Sequence, residues 1–268
     1  MSRPLNSTPP PGDRTPPPIL DVEQHNQEIH ENQRHWDRKP ELRAIYAEFY
    51  QQIAQYLPPA SAGTVLECGS GIGNLKSALP HAVTSDLFPN PWLDRQENIY
   101  TLSDGNDSLA GVVLFDVFHH LRYPGLGLTE LHRVLQPGGC AVIMEPAAGL
   151  LGRIFLGLFH HEPLALGAPI AWQPSTDFDP TNVDYYAAQG NAWRIFHPRN
   201  PERPKLNGWS APKVHYLPAV PWIMTGGFRG PTLNRGPLRY LWRAIDSILS
   251  LAPRLFASRM IVVLEKSS

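Results

Sequence analysis

Charge of one sign is what this chain has least of. Lys and Arg total 23 against 24 Asp and Glu in 268 residues, for a formal net charge of −1. No broad field exists to gather nucleic acid or an anionic membrane, so no nucleic-acid partner is expected and the ligand should be small or roughly neutral. Cysteine is nearly absent. Cys68 and Cys140 sit in apolar runs and read as core side chains rather than a disulfide, which suits a reducing compartment. No apolar run reaches the roughly 18 residues needed to span a bilayer. The first twenty residues also lack the apolar segment of a secretory leader. Together these absences predict a cytoplasmic protein without stable membrane insertion. They leave the oligomeric state open.

Proline, by contrast, is abundant at the start. Pro9–Pro11 and Pro16–Pro18 make residues 1–20 an expected extended or disordered tail. From about Asp21 to Leu57, Trp36, Leu42, Ile45, Tyr46, Phe49, Ile53 and Tyr56 recur at helical spacing, with Pro40-Glu41 fit for a first turn. Strands and helices then alternate. Thr64–Glu67, His81–Asp86, a weak Asn98–Leu102, Gly111–Asp116 and Cys140–Glu145 read as strands, and Asn74–Leu79 and Leu126–Leu135 as helices. Near-continuous apolar runs such as Gly-Val-Val-Leu-Phe suit a parallel sheet covered on both faces. Residues 147–213 are rich in Gly and Pro and carry the apolar stretch Leu150–Phe159; a segment this long is expected to cover a site. Val214–Trp222 reads as a strand, Leu238–Leu251 as a helix, and Met260–Leu264 as a last strand.

The densest chemical signal is Glu67-Cys68-Gly69-Ser70-Gly71-Ile72-Gly73-Asn74, between a strand and a helix. Glycines there let backbone approach a ligand and adopt angles other residues avoid. A dinucleotide fingerprint would need glycine where Asn74 stands. Glu67, two residues before the first glycine, suits a ligand with a cationic amino-acid end, not a pyrophosphate. S-adenosylmethionine (SAM) has such an end. Asp86 closes the next strand, where a carboxylate can accept both ribose hydroxyls.

On these residues the chain resembles the class I SAM-dependent methyltransferases, most of all the ubiquinone/menaquinone-biosynthesis and "type 11" group, over about residues 62–146. Glu67, Gly69, Gly71 and Gly73 match the family's first motif, Asp86 its ribose acid, and Leu87 the apolar residue beside adenine. Val112–Asp116 with Val117-Phe118-His119-His120-Leu121 resembles the fourth-strand motif. Leu131–Gly139 resembles the helix and Pro-Gly-Gly turn before strand five. The resemblance implies a Rossmann-like, doubly wound α/β sheet of seven strands, a late one antiparallel, with an N-terminal helical cap and an insertion after strand 5. It also implies a SAM cofactor, with Asp116 and Val117 near it. Members often carry an acid after strand three; the match here is Asn98, followed by Ile99, and an amide oxygen can accept the same bond without charge.

For the chemistry, His119 and His120 follow a strand whose end faces the cofactor edge, where either could take a proton or orient an acceptor. The competing role is to cap the strand. Glu145, ending the fifth strand, is a second catalytic candidate. His160-His161-Glu162 lacks a third ligand at suitable spacing, so no metal is expected. The N-terminal helix, with Lys39, Arg43, Tyr46 and Tyr50, could cover the cofactor. The helix from Leu238 carries Arg239 and Arg243, with Arg254 beyond it, a sparse basic face for a membrane surface.

The expected division is therefore a tail (1–20), a helical cap (21–60), a SAM-binding core (61–146), a lid and acceptor insertion (147–213) and a C-terminal completion of the sheet (214–268). The expected activity is methyl transfer (EC 2.1.1.-) to O, N or C of a small-molecule acceptor. The apolar insertion tilts the acceptor toward a hydrophobic, lipid-linked or secondary-metabolite compound. The rivals are a non-catalytic SAM-binding regulator and an NAD(P) oxidoreductase.

Overall fold

The computed structural model describes residues 22–181, 185–198 and 206–267. The proline-rich stretch 1–20 lies outside the described residues.

Seven strands form one sheet: β1 (Thr64–Cys68), β2 (Val83–Asp86), β3 (Arg95–Gln96), β4 (Leu109–Phe115), β5 (Leu135–Pro146), β6 (Lys213–Leu217) and β7 (Arg259–Glu265). Their order is β3-β2-β1-β4-β5-β7-β6. The pairs β2–β3, β1–β2, β1–β4 and β4–β5 are parallel, and β7 is antiparallel to both β5 and β6. The sheet is thus the expected doubly wound one. The chain reverses its direction of travel between β1 and β4, the place where such sheets open a ligand crevice beyond their strand ends.

Among the described residues eight α-helices accompany the sheet: α1 (Val22–Arg38), α2 (Pro40–Ala54), α3 (Pro124–Val134), α4 (Leu150–Phe159), α5 (Asn191–Ile195), α6 (Val220–Ile223), α7 (Leu238–Leu249) and α8 (Pro253–Phe256). Alternation along β4 and β5 divides the core in two. Val112, Leu114, Ala141 and Ile143 face one cluster with α3 and α5. Val113, Phe115, Val142 and Met144 face the other, filled by Leu42, Ile45, Phe49 and Ile53 of α2. Both faces are covered, which is why these strands read as continuous apolar runs.

Several local readings are corrected. Pro40 opens α2 as its first turn, as expected, while Trp36, grouped with the same periodic run, belongs to the preceding helix α1, which ends at Arg38. The third strand is Arg95–Gln96, not Asn98–Leu102, which forms turns. Asn74–Ser77 is one turn of 3-10 helix. Val214–Trp222 is a strand only to Leu217, and Val220–Ile223 is α6. Strand five starts early: Leu135 pairs with Leu109, the Pro-Gly-Gly turn loops out, and pairing resumes with Cys140 opposite Gly111. Both cysteines are buried and free. Among the described residues no helix is long and apolar enough to cross a membrane.

Candidate active site

Beyond the ends of β1, β2 and β4 lies a cavity of about 1000 Å³. One wall is the glycine loop. Gly69 has φ +73°, and a Cβ there would lie 2.4 Å from Val117 Cγ2, so the loop closes on β4 only with glycine. Gly71 (φ +52°) has open space where its side chain would be, leaving bare backbone toward the cavity. The loop is tied across to β2: Ser70 N–H donates to Ser85 O (2.8 Å) and Gly71 N–H to Asp86 Oδ2 (2.8 Å). Trp92 Nε1–H donates to Gly71 O at 2.8 Å.

Asp86, Leu87, Asn98, Ile99, Asp116 and Val117 all line the cavity. Glu67 and Gly73 do not. Glu67 is buried behind the loop with Oε2 lacking any hydrogen-bond partner. Burial pushes its carboxyl up to about 8; a hydrogen bond from Ser70 opposes this and the charge of Asp86 adds to it. Asn98 is committed to the protein: Nδ2 donates to Pro180 O (2.6 Å) and Oδ1 accepts from Tyr100 N–H (2.9 Å). With β3 ending at Gln96, the acid that follows the third strand is Glu97. It also lines the cavity, and it accepts from Ser103 N–H (3.0 Å) and the Ser103 hydroxyl. Misplacing that strand in the sequence is what hid Glu97.

The opposite wall is an ionic network. Glu145, fully buried on β5, accepts from Val117 N–H (2.9 Å) and Phe118 N–H (2.6 Å) through Oε1, while its Oε2 lies 2.7 Å from His119 Nδ1. It does not reach the cavity; it fixes the turn after β4 and the ring of His119. His119 Nε2 lies 3.4 Å from Glu162 Oε2. Glu162 in turn accepts from the Tyr185 hydroxyl and from Gln189 Nε2 (2.5 Å). His119 therefore sits between two carboxylates. Burial alone would depress its pKa, but the charge and hydrogen bond of Glu145, reinforced by Glu162, lift it to about 10. Glu162 moves the other way: burial would raise its carboxyl, but the hydrogen bond and charge of His119 carry it well below the carboxylate range.

His120 is held differently. Its Nδ1 lies 2.9 Å from Tyr186 O, an acceptor only, so Nδ1 carries a proton. Its Nε2 is 4.0 Å from Glu162 Oε1. His119, His120 and Glu162 offer ligand atoms within 4.8 Å of one another, within reach of a shared divalent ion. The partners seen here, two carboxylates about one imidazole with Tyr185 and Gln189 donating to Glu162, describe a proton held on His119. The triplet His160-His161-Glu162 is split by this arrangement. Glu162 turns inward to His119, and His160 Nδ1 accepts from Glu162 N–H and lies 3.2 Å from Gln189 Nε2. Glu162, Tyr185 and Gln189 come from the Gly- and Pro-rich segment, where no periodicity marked them.

A third feature lies between these walls. Asp116 has φ +58°, a left-handed conformation unusual for a residue with a side chain, and Arg259 Nη1 of β7 is 2.7 Å from its Oδ1. Arg259 is buried, with its guanidinium carbon 5.0–5.8 Å from the ring centres of Phe49, Phe115 and Trp222. Over the cavity lie α1, α2 and the turn 226–230; Lys39 Nζ joins them by donating to Gly227 O (2.6 Å) and Gly230 O.

Residues 34–210, well over half the chain, match the profile of a family described as "Methyltransferase domain". No curated protein matches. Among solved structures, the chain is similar to a SAM-dependent methyltransferase of Thermotoga maritima, described as a possible histamine N-methyltransferase: 12% identity, 90% of this chain and 99% of that one covered, TM-score 0.52. A SAM-dependent methyltransferase of Archaeoglobus fulgidus covers 84% of this chain and 94% of its own at 13% identity, TM-score 0.49. At such identity the first likeness establishes the fold alone.

Proposed function

The chain belongs to the methyltransferase-domain family and is a SAM-dependent class I methyltransferase, and from that premise we propose that it methylates an apolar small molecule (EC 2.1.1.-) at an atom presented to His120. The observation that carries the reading is one cavity with two chemically distinct walls, a glycine loop facing Asp86 and a histidine–carboxylate network facing it. SAM supplies a methyl group on cationic sulfur. The residues fit that cofactor: Gly71 leaves open space, Asp86 brings a carboxylate to the cavity edge, and Glu67 Oε2 is a buried oxygen without a donor. We assign Asp86 to the ribose hydroxyls, and Leu87, Ile99 and Glu97, in place of Asn98, to the adenine side. Gly69 and Gly71, with Glu67 behind them, are assigned to the amino-acid end, and Asp116 and Val117 to the reacting centre. A glycine-based pyrophosphate site, as an NAD(P) oxidoreductase would need, is not what Asn74 and Glu67 form.

Glu67→Gln should separate two effects. A buried carboxyl with its pKa raised from 4.5 to about 8 contributes stability below pH 4.5 that is lost as pH rises through about 8. The neutral amide removes that loss, so at pH 9 the ligand-free variant should melt no lower than wild type. Its SAM affinity should nonetheless fall about tenfold, the worth of one charge-assisted hydrogen bond. Melting curves and calorimetry on the same samples check both.

His119 is charged at neutral pH and so does not act as the base. It holds Glu162, and Glu145 holds it. We assign the proton-accepting role to His120, which lines the cavity with its Nδ1–H held on Tyr186 O. Residues 147–213 are the lid: Glu162, Tyr185, Tyr186 and Gln189 bring the polar groups, and Phe155, Leu156 and Phe159 the apolar surface, to the acceptor side. That surface favours a hydrophobic acceptor bearing a hydroxyl. His120→Ala should lower the turnover number about 100-fold or more with SAM affinity unchanged. Release of demethylated cofactor across a panel of apolar alcohols and phenols measures this. Equal turnover by the variant would remove His120 from the reaction.

A further inference from the structure

Large apolar side chains that are exposed are not scattered over this molecule. Among the described residues, all of them fall in 150–159 or 233–255. On α4 they recur as Leu150, Ile154 and Leu158, one stripe at a four-residue spacing, with Phe159 at the end 74% exposed. Helix α7 has no buried residue at all, yet Leu238, Leu241 and Ile248 line one side of it. Leu251 (86% exposed) and Leu255 continue the apolar surface toward α8.

The two stretches adjoin through α8. Helix α4 contacts α8, α7 packs on α6, and Phe155 of α4 meets Trp222 of α6 with ring centres 5.8 Å apart. An apolar patch of this kind marks an interaction surface.

The charge around it is one-sided, unlike that of the chain as a whole. Residues 229–256 hold Arg229, Arg235, Arg239, Arg243 and Arg254 against Asp246 alone, with no Lys or Glu, and 150–159 hold Arg153 and no acid. Asp246 is spent inward, accepting from Val220 N–H. Arg229, Arg235 and Arg243 pair with glutamates of α1 and α2. Arg153, Arg239 and Arg254 have no carboxylate within ion-pair distance among the described residues. An exposed apolar stripe flanked by arginines that have no acidic partner among the described residues is the composition of a helix that lies in the plane of a lipid interface.

The patch also reaches the cavity. Phe159 and Leu233 are exposed, and both line the cavity, beside Phe155, Leu156 and Met224. The cavity mouth on this side is therefore a rim of the apolar face.

We propose that the face formed by α4, α7 and α8 docks on the surface of an anionic phospholipid bilayer, placing the cavity mouth against the lipid. Arginines meet the headgroups, and Leu158, Phe159, Leu241 and Ile248 enter the acyl boundary. Entry of an amphipathic acceptor by this mouth rests on the function proposed above; the docking itself does not.

The test is sedimentation of the full chain with phosphatidylcholine vesicles, with and without phosphatidylglycerol, at low and high salt. SAM calorimetry and solution mass are measured in parallel. Wild type should pellet about tenfold more with the anionic vesicles at low salt and lose that excess at high salt. Leu241→Asp with Ile248→Asp, both at exposed positions, should abolish pelleting and leave SAM affinity unchanged. A monomer that binds SAM but ignores anionic vesicles overturns the proposal. So does a stable dimer that the double variant dissociates, since a second copy would then cover the face. Vesicle binding without SAM binding would uphold the docking and sink the function instead.

Discussion

Asp86→Ala is expected to weaken SAM binding about 100-fold or more while leaving the melting temperature within a few degrees of wild type. The side chain sits at the edge of the cavity with Oδ2 on Gly71 N–H. In the bound state its second oxygen would take ribose hydroxyls. A charge-assisted hydrogen bond is worth about 1.5–3 kcal/mol, so losing two accounts for at least a hundredfold. Stability should change little, because the loop keeps its other ties: Ser70 N–H to Ser85 O, Ser85 N–H to the Ser70 hydroxyl oxygen, and Trp92 Nε1–H to Gly71 O. Asp86→Asn, which keeps one acceptor, should fall between. Calorimetric titration with SAM checks the series, and equal affinity in all three proteins would remove Asp86 from the site.

His119→Ala is expected to cost about 3–5 kcal/mol of stability, the range for removing one partner of a buried ion pair. Glu145 and Glu162 would be left buried without the cation between them. The pH dependence distinguishes this from lost packing. His119 titrates higher folded than unfolded, so its contribution is complete below pH 6.5 and is lost as pH rises through about 10. Glu162 titrates lower folded than unfolded, so its contribution is present above pH 4.5 and lost as pH falls. Both are whole between pH 4.5 and 6.5, where the gap between wild type and variant should be widest. Denaturant melts from pH 5 to 10 should show the gap closing toward the alkaline end. A constant gap would mean His119 is neutral and merely packed.

Much of this was legible from residue order. The glycine loop, Asp86 and the strands about them announce themselves because each needs a residue type that few others replace: glycine for close approach, a carboxylate at a strand end, an unbroken apolar run for a strand buried on both faces. The histidine pair was visible too, but its roles were not. Nothing in Val-Phe-His-His-Leu says that the first ring will lie between two carboxylates and the second against a backbone carbonyl. Those partners come from Glu145, Glu162 and Tyr186, far along the chain. Strand three failed for a related reason. It has only two residues, too short for periodicity, and the apolar residues after it form turns that fill the core instead. For α7 the apolar pattern was read correctly, but periodicity cannot say whether a stripe faces a core or remains outside one.

The placement of β7 bears on how the chain comes to be folded as it leaves the ribosome. Residues 259–265 are the inner strand between β5 and β6. The five parallel strands and their helices emerge first, but β6 has no neighbour until β7 arrives, and β5 presents an unpaired apolar edge in the meantime. Such an edge is a template for wrong partners. The buried Arg259–Asp116 pair closes only at that moment as well, joining the turn after β4 to a residue made more than half a chain later. Completion of the sheet and closure of that ion pair are thus one event, and a nascent chain stalled before it would carry the glycine loop with Asp116 still lacking Arg259.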